Sequence, residues 1–312
     1  MHYSVILNPT ASNGHAKEVW GSIKQQFEQA GVDFDLQTTK KAADAEYFTR
    51  RLCQQRRASN TTVVVVGGDG TLHDVLNGLE KAARSLQKEL LPLAYIPTSN
   101  LSRFAQAYGI SLDPNKALQQ VLGASQVENV IVGHCNDAIK NQHGYFLNSI
   151  GIGFDAALLS HSRKAKRRKK FRWRRFSFLS HALSVIYDQQ PFQLMVTQQQ
   201  HRFLYPKAYI VLIANHPYLD CGVKLSSANN LTQPSLELLT VERQGWPITF
   251  WQLLQLYRGK LGQSRFANHL TANNLHLTTT SLEFSQTDGE DQGNRFIDIT
   301  VDVTTYPFRE LH

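Results

Sequence analysis

The sequence predicts a parallel-sheet α/β domain followed by a β-rich, β-sandwich-like domain. Three observations support this prediction: a length of 312 residues, an alternation of short apolar runs with helical patterns up to residue 122, and short strands between polar turns beyond it. At about 100 to 200 residues per domain, the length suits two domains. Alternating strands and helices are typical of a parallel sheet, and closely spaced strands of an antiparallel one. The predicted domains are 1–122, completed by 304–312, and 123–303.

The elements of the first domain are predicted from apolar spacing. Four consecutive valines at 63–66 suit a strand that is buried on both faces. Leu72, Val75, Leu76 and Leu79 then recur at helical spacing. Further strands are predicted at 5–7 and 91–96, and further helices around 19–27, 104–108 and 114–122.

The elements of the second domain are predicted from short apolar runs between polar turns. Such runs favour an antiparallel sheet. Two helical patterns interrupt them, around 176–187 and 249–257, and three glutamines at 198–200 are predicted to form a hairpin turn. Strands are predicted at 127–132, 145–148, 192–197, 209–214, 236–241, 282–285 and 296–303.

The net charge of +8 comes from one segment. Residues 163–175 hold ten basic residues and no acid, and without them 23 basic residues stand against 25 acidic ones, a net charge of −2. This distribution argues against a protein that coats nucleic acid with its whole surface. The apolar share of 42% and the charged share of 19% exclude a disordered, highly charged tail protein.

The cysteines and the N-terminal residues bear on location. Three cysteines without a Cys-x-x-Cys pair indicate neither a disulfide framework nor a cysteine metal site. The first residues carry no basic segment and no long apolar stretch, and no run of about 18 apolar residues occurs. We therefore expect a cytoplasmic protein that can still bind a membrane surface.

A glycine-rich loop follows the valine strand and is the most informative candidate site. Gly67, Gly68 and Gly70 surround Asp69, Thr71 comes next, and a helix begins at once. Glycines let backbone N–H groups approach an anion, and a helix N-terminus favours phosphate. No Gly-Lys-Ser/Thr follows, so this is not a Walker A loop.

Two other loops have related patterns. The loop at 8–14 also follows a strand and precedes a helix, and in a parallel sheet it would open at the same edge as the glycine loop, where ligands bind. The segment 151–156 matches the dinucleotide fingerprint, but the basic run stands where a ribose-binding acid is needed. We predict a nucleotide site at the first two loops and a turn at a domain junction at 151–156.

Three further segments accompany the glycine loop in order: Asn8-Pro9-Thr10, the run from Phe146 to Ala156, and Asp288-Gly289-Glu290. Together with the run from Gly67 to Leu79, they resemble the signature of the diacylglycerol kinase catalytic domain, the family that includes sphingosine kinases. The resemblance covers nearly the whole chain. It implies a two-domain enzyme that transfers the γ-phosphoryl group of ATP, with Mg²⁺, to a lipid hydroxyl.

The resemblance also implies roles for single residues. Thr39 matches a nucleotide-contacting threonine, with Thr38 as a close competitor, and Asn100 stands where another nucleotide-binding threonine is usual. Asp288 and Glu290 match the acidic pair that activates the acceptor hydroxyl, since a positioned carboxylate can take its proton. Without the other motifs, Asp288-Gly289 would read as an ordinary hairpin turn. The ATP phosphates are expected at Asn8, Pro9, Thr10, Ala11, Ser12, Gly67, Gly68, Asp69, Gly70, Thr71, Leu72 and His73.

Two departures from the family pattern bear on activity. Ser99 and Asn100 replace a Gly-Thr pair, and Ser102-Arg103 replaces an Asn-Asp pair, so a base stands where an acid is usual. Gln233 stands where some bacterial members have a metal-binding aspartate. Because an amide is a poorer ligand for a hard cation, we expect this accessory metal site to be weak or absent.

The basic run at 163–175 also contains Phe171 and Trp173. Basic residues with aromatic ones suit an anionic membrane surface. They also suit single-stranded nucleic acid, which the acidic remainder of the chain disfavours. A solvated loop is the simpler alternative. We predict a lipid substrate reached at an anionic membrane through 163–175, with a homo-oligomer left open.

The predicted function is an ATP-dependent lipid kinase that acts on diacylglycerol to give phosphatidic acid. Several alternatives stay open. The chain could instead be a catalytically impaired nucleotide- or lipid-binding protein on the same scaffold. It could be a kinase for a sphingoid base or phosphatidylglycerol, or an NAD kinase, which shares the Gly-Gly-Asp-Gly pattern.

Overall fold

The computed structural model describes residues 1–41, 43–55, 60–154, 156–157, 189–216, 234–258 and 260–309. The basic run at 163–175, the helix predicted around 176–187, Asp155 and Gln233 lie outside the described residues. No helix of the described part is both long and apolar enough to cross a membrane. The chain divides into two compact units, Met1–Ile131 with Thr305–His312, and Val132–Thr304.

The first unit alternates strands and helices, as predicted. Its sheet is parallel in the order β2-β1-β3-β4, and Phe308 of the last strand of the chain lies beside Leu93 of β4. The elements are β1 His2–Leu7, α1 His15–Gln29, β2 Asp33–Thr38, α2 Ala43–Gln54, β3 Thr61–Gly67, α3 Asp69–Leu86, β4 Leu93–Pro97, α4 Arg103–Ala107 and α5 Pro114–Gly123.

The core of the first unit forms where the apolar spacing predicts it. All four valines of β3 are fully buried, as expected for a strand covered on both faces. The apolar face of α3, from Leu72 to Leu79, is also fully buried. On the same helix Gly78 lies against α2, where a Cβ atom would be 2.5 Å from Oγ1 of Thr49. The absent side chain therefore lets α2 and α3 approach closely.

The second unit is antiparallel in its described strand pairs. Strands β5 Val127–Asp137 and β15 Asp298–Arg309 begin in one unit and end in the other. The remaining elements are β6 Gln142–Phe146, β7 Ser149–Gly153, β8 Phe192–Gln198, β9 His201–Ala214, β10 Leu236–Glu242, α6 Trp246–Tyr257, β11 Ala267–Ala272, β12 Asn274–Thr279, β13 Glu283–Thr287 and β14 Glu290–Arg295.

The long strand β9 organises the second unit. Its first half pairs with β8 across a two-residue turn at Gln199 and Gln200, which confirms the predicted hairpin. Its second half pairs with both β7 and β10. Val211 and Ile213 belong to one apolar core, and Leu212 and Ala214 to another. Because successive side chains of a strand point to opposite faces, this half of β9 is covered on both faces.

The prediction of a turn at 151–156 is wrong, because residues 149–153 form β7 between β9 and β13. Ile150 and Ile152 point into one apolar core, while the intervening positions are glycine. Gly153 has a φ of 86°, and a Cβ atom there would lie 2.6 Å from the carbonyl oxygen of Tyr209. Gly153 therefore allows close approach of neighbouring backbone within a sheet.

Candidate active site

The loops predicted to bind a nucleotide all follow strands of the parallel sheet in the first unit. Because those strands run in one direction, their following loops open at one edge of the sheet. Backbone bonds join the loops there: N of Asn8 donates to O of Val66 at 3.0 Å, N of Thr39 to O of Leu7 at 2.9 Å, and N of Thr98 to O of Gly67 at 2.9 Å. The sheet thus brings together residues far apart in sequence.

The loop from Asn8 to Ser12 is closed by its own side chains. Oδ1 of Asn8 accepts from N of Thr10 at 3.2 Å and from its Oγ1 at 2.9 Å, while Nδ2 donates to Oγ1 of Thr71 at 3.0 Å. Ser12 and Asn13 adopt left-handed backbone, with φ of 53° and 60°. Such conformations cost about 1 kcal/mol or more each and are common at binding sites. Pro9 and Ala11 lie in this loop without a side-chain hydrogen-bonding group.

The glycine loop carries the chain from β3 directly into α3. Gly68 is the residue before the helix and is extended, with no side-chain cap on the helix end. A Cβ atom on Gly68 would meet no atom within 4 Å, so the loop lies open at this point. Thr71 and Leu72 donate their N–H groups to O of Gly68, as in an ordinary first turn. The helix therefore offers the exposed N-terminal end that phosphate groups favour.

Some residues of this loop that are predicted to contact the nucleotide do not point their side chains toward the predicted nucleotide site. Leu72 is fully buried in the core, so only its backbone is available to a ligand. Nε2 of His73 lies 3.4 Å from Nδ2 of Asn77, which also donates to O of His73. Gly70 is half-buried at the start of α3. Asn100 is exposed and forms no hydrogen bond within the part of the chain that the structure describes.

Asp69 binds the loop that follows β4. Its Oδ1 accepts from the hydroxyls of Tyr95 at 2.9 Å and Ser102 at 2.5 Å. Its Oδ2 accepts from the backbone N–H groups of Arg103 at 2.8 Å and Phe104 at 3.3 Å. Burial, together with the charge of Asp69, raises the pKa of Tyr95 well above its usual range, so this hydroxyl stays protonated and donates. Both carboxylate oxygens therefore hold the glycine loop against the loop that follows β4.

The second unit holds the acidic pair on a hairpin. Asp288 and Gly289 form the two-residue turn between β13 and β14, with φ of 49° and 75°, as a tight hairpin requires. The Asp288 carboxylate is buried and accepts three backbone N–H bonds, from Leu147 at 2.7 Å, Asn148 at 2.7 Å and Ser149 at 3.0 Å. Its own N–H donates to O of Ser149 at 2.8 Å. Asp288 thus fixes the turn to the segment 147–149.

A buried pair lies beside this segment. Oδ1 of Asn148 and Nε2 of His216 are 2.9 Å apart, and both side chains are fully buried. His216 follows the end of β9 and is not among the site residues predicted from the sequence. Asn148 belongs to a segment that resembles the family signature, but nothing in the spacing connects it with a histidine 68 residues later. The pair holds the segment 147–149 from the side of β9.

Glu290 differs from Asp288 in its surroundings. It is the first residue of β14, half-buried, and pairs through its backbone with Thr287. Within the described residues its carboxylate forms no hydrogen bond and no ion pair. Because Asp288 is occupied by backbone N–H groups, Glu290 is the member of the pair whose carboxylate can take up a proton from a ligand. The catalytic assignment of both residues stays a prediction.

Comparisons with known proteins identify the first part of the chain. Residues 2–135 match the family model of the diacylglycerol kinase catalytic domain. YtlR of Bacillus subtilis strain 168, whose name assigns it provisionally to the lipid kinases, is 26% identical over 265 residues, 83% of each chain. Residues 2–135 are similar to diacylglycerol kinase catalytic domains. The chain is therefore a kinase, and the predicted family is confirmed.

Two further proteins are similar to this chain, one in sequence and one in fold. A diacylglycerol kinase of the same Bacillus subtilis strain is 29% identical over 150 residues, which are 48% of this chain and 45% of the relative. This chain thus matches less than half the length of that enzyme. A crystal structure of a diacylglycerol kinase from Bacillus anthracis covers 99% of this chain and 96% of its own, with a TM-score of 0.67 at 20% identity. At that identity the likeness shows the fold.

The kinase domain keeps its third loop in place despite the departures from the family pattern. Ser102, at the usual asparagine position, donates Oγ to Asp69 and accepts from N of Ala105 at 3.1 Å, which caps α4. Arg103, at the usual aspartate position, contributes its backbone N–H to Asp69, while its side chain reaches Gln106. The substitutions therefore leave the loop tied to the glycine loop.

The described residues do not form a ready metal site for the Mg²⁺ that the resemblance implies. No three His, Cys, Asp or Glu side chains of the described part are grouped so as to hold a metal ion. Both oxygens of Asp69 accept N–H and O–H bonds, which occupies the lone pairs that a cation would need. Asp69 is therefore not available in this geometry as a direct ligand of Mg²⁺, and Mg²⁺ stays a prediction.

Proposed function

We propose that this kinase transfers the γ-phosphoryl group of ATP to a lipid hydroxyl, with diacylglycerol as the acceptor and phosphatidic acid as the product. The names of the relatives motivate the choice of lipid. The observation that carries the proposal is the division of the acidic pair: Asp288 accepts three backbone N–H bonds, whereas the carboxylate of Glu290 is unoccupied among the described residues. A poor nucleophile such as an alcohol needs a positioned base of this kind.

In the proposed reaction the first unit holds the nucleotide. The N-terminal end of α3 and the loop of Asn8 to Ser12 bind the phosphates through backbone N–H groups and hydroxyls. Asp69 is a positioning residue that keeps the loop after β4 against the glycine loop. Phosphoryl transfer needs placement and charge stabilisation more than covalent chemistry, so the hydrogen-bonded edge is suited to it.

The second unit supplies the base. The lipid hydroxyl oxygen attacks the γ-phosphorus, the bond from that phosphorus to the bridging oxygen breaks, and ADP leaves. Glu290 takes the hydroxyl proton as the new bond forms. Asp288 is a positioning residue, because it fixes the turn that carries Glu290. The partners proposed here are the lipid and, through 163–175, an anionic membrane surface.

The test is an assay of the purified chain with radiolabelled ATP and detergent-dispersed acceptors: diacylglycerol, sphingosine and phosphatidylglycerol, with NAD as a separate arm. We expect phosphatidic acid as the main product. E290Q should lower the turnover by about 10²- to 10⁴-fold, the usual contribution of a general base, without shifting the melting temperature.

The matched control is D291N, which removes the same charge one residue further along β14. Oδ1 of Asp291 accepts from N of Gly293 at 2.9 Å, and an asparagine keeps that acceptor, so D291N should retain turnover. Equal losses in E290Q and D291N would contradict the assignment of Glu290. Absence of product with every acceptor would overturn the lipid kinase proposal, and binding of ATP without turnover would identify an impaired nucleotide-binding protein.

A further inference from the structure

The segment from residue 243 to residue 282 has an unusual charge composition. It contains no aspartate or glutamate, while it holds Arg243, Arg258, Lys260 and Arg265. Helix α6 lies within this segment, which is separate from the basic run at 163–175. The segment therefore has a net positive charge of its own, and the structure describes most of its residues.

Helix α6 exposes two neighbouring aromatic side chains. Thr249 and Gln252 are buried, and their side chains donate to backbone carbonyls, Thr249 to Gln244 at 3.0 Å and Gln252 to Glu242 at 3.3 Å. Phe250 and Trp251, in contrast, are 54% and 48% exposed. Surface helices usually place their apolar side chains toward the protein core. Phe250 and Trp251 thus form an apolar patch on the exposed side of the helix.

A cleft of about 610 Å³ opens beside Trp251. Ile248 and Trp251 of α6 line it, together with Lys260, Arg265 and Phe266 of the segment that follows. The guanidinium of Arg265 lies 4.7 Å from the centre of the Phe266 ring. Lys260 and Arg265 are exposed, and so is Arg258 at the end of the helix. The surface thus combines apolar area with three exposed cations.

We infer that the exposed side of α6, with Phe250 and Trp251, and residues 258 and 260–266 form a docking surface for an anionic phospholipid bilayer. Aromatic side chains favour the interface between headgroups and acyl chains, and nearby cations are attracted to anionic headgroups. The 12 residues of α6 span about 18 Å, well short of the roughly 30 Å of a bilayer core, so the helix would lie along the surface.

A second copy of the chain fits this surface less well. A two-fold interface would place the same three cations opposite one another, without an acid in the segment to compensate them. The bilayer provides the complementary charge and the apolar layer together. This inference concerns membrane docking and does not depend on which lipid is phosphorylated.

The test measures binding of the full chain to vesicles of phosphatidylglycerol and phosphatidylcholine. The variant F250A/W251A should bind about tenfold more weakly, since two interfacial aromatic side chains are lost. The control L204A/F296A removes two apolar side chains that are exposed to a similar degree elsewhere in the second unit, and should bind as the wild type does. Vesicles of phosphatidylcholine alone should bind all forms weakly.

A second measurement reports contact at the helix itself. Brominated phosphatidylglycerol quenches tryptophan fluorescence on contact, and W251F should reduce that quenching even where other segments contribute to affinity. Unchanged quenching and unchanged affinity in these variants would overturn the inference. So would a wild-type dimer in solution that F250A/W251A dissociates, because the occupant would then be a second copy. Turnover on detergent-dispersed diacylglycerol should persist in F250A/W251A, which separates failure of docking from failure of the kinase proposal.

Discussion

At the scale of single residues, two carboxylates act through hydrogen bonds to the chain. Asp69 and Asp288 both belong to segments that resemble the family signature, and both accept bonds from backbone N–H groups of distant segments. A carboxylate with several N–H donors is a strong structural acceptor. The effect of each carboxylate on activity therefore depends on the segments that it holds in place, at least as much as on any direct contact with a ligand.

The substitution of Asp69 separates a positioning role from a metal-binding role. In D69N the amide oxygen can keep the bonds from Arg103 and Phe104, and the hydroxyls of Tyr95 and Ser102 can turn to accept from the amide nitrogen. We expect D69N to keep a melting temperature close to that of the wild type and measurable turnover. D69A leaves buried donors without an acceptor, which should lower the free energy of unfolding by about 1–3 kcal/mol and weaken ATP binding.

Thermal unfolding and nucleotide binding of the two variants check this prediction. Y95F is the control for the hydroxyl alone, because it removes one donor and leaves the backbone bonds to Asp69 intact. A folded D69N protein with a complete loss of turnover would contradict the positioning role and would favour a ligand held directly by the carboxylate.

The sequence could identify these residues but not their partners. Asp69 stands in a glycine pattern and Asp288 before a glycine, and both signals are local. The donors to Asp69 lie 26 to 35 residues away, and those to Asp288 about 140 residues away. Only the folded sheet brings them together, so local spacing could not predict that Asp288 is occupied while Glu290 is not. His216 was missed for the same reason.

At the scale of elements, the apolar pattern predicted the continuously apolar segments well and those that mix apolar with polar residues poorly, such as β2 and β12. Strand β3 and helix α3 were predicted because valines and leucines occupy their buried positions. Strand β2 and helix α2 were not predicted, since β2 lies at the edge of the sheet and alternates acidic with apolar residues. Strand β7 was interpreted as a turn because its glycines suggested one. Gly153 allows close backbone packing there, and a sequence pattern does not distinguish such a glycine from one in a turn.

The contact between α2 and α3 gives a matched pair of substitutions. In G78A the new Cβ atom would lie 2.5 Å from Oγ1 of Thr49 and 3.2 Å from Cα of Glu46. Overpacking of this kind typically costs about 1–3 kcal/mol, so G78A should lower the free energy of unfolding. Gly21 lies within α1, where a Cβ atom would meet nothing within 4 Å. G21A should therefore stabilise the protein by about 0.5–1 kcal/mol through helix propensity.

Chemical denaturation of both variants measures the two changes side by side. The pair is informative because helix propensity alone favours alanine at both positions. A stabilising effect of G78A equal to that of G21A would show that α2 moves away without cost, and would contradict the close packing described for Gly78.

At the scale of the whole molecule, the fold class predicted from the sequence is confirmed. Parallel strands come first and an antiparallel, strand-rich region follows. Each unit has its own buried core, and the chain passes between the units only within β5 and β15. Separate cores allow parts of a protein to open independently. The proposal that the first unit binds the nucleotide and the second unit carries the base can therefore be tested by measuring the stability of each unit with and without nucleotide.

Nucleotide binding should protect the first unit selectively. A ligand present at a hundredfold excess over its Kd stabilises the form that binds it by about 2.7 kcal/mol. Hydrogen exchange that requires this form to open then becomes about a hundredfold slower. With a non-hydrolysable ATP analogue, we expect this slowing for the amides of β3 and β4, beside the proposed phosphate loops. Amides of β12, which pairs with β8 and β15, should exchange at an unchanged rate because the second unit can open without releasing nucleotide. Hydrogen exchange measured by mass spectrometry distinguishes the outcomes: equal protection of β3 and β12 would mean that both units open together, and protection of β12 alone would place the nucleotide in the second unit.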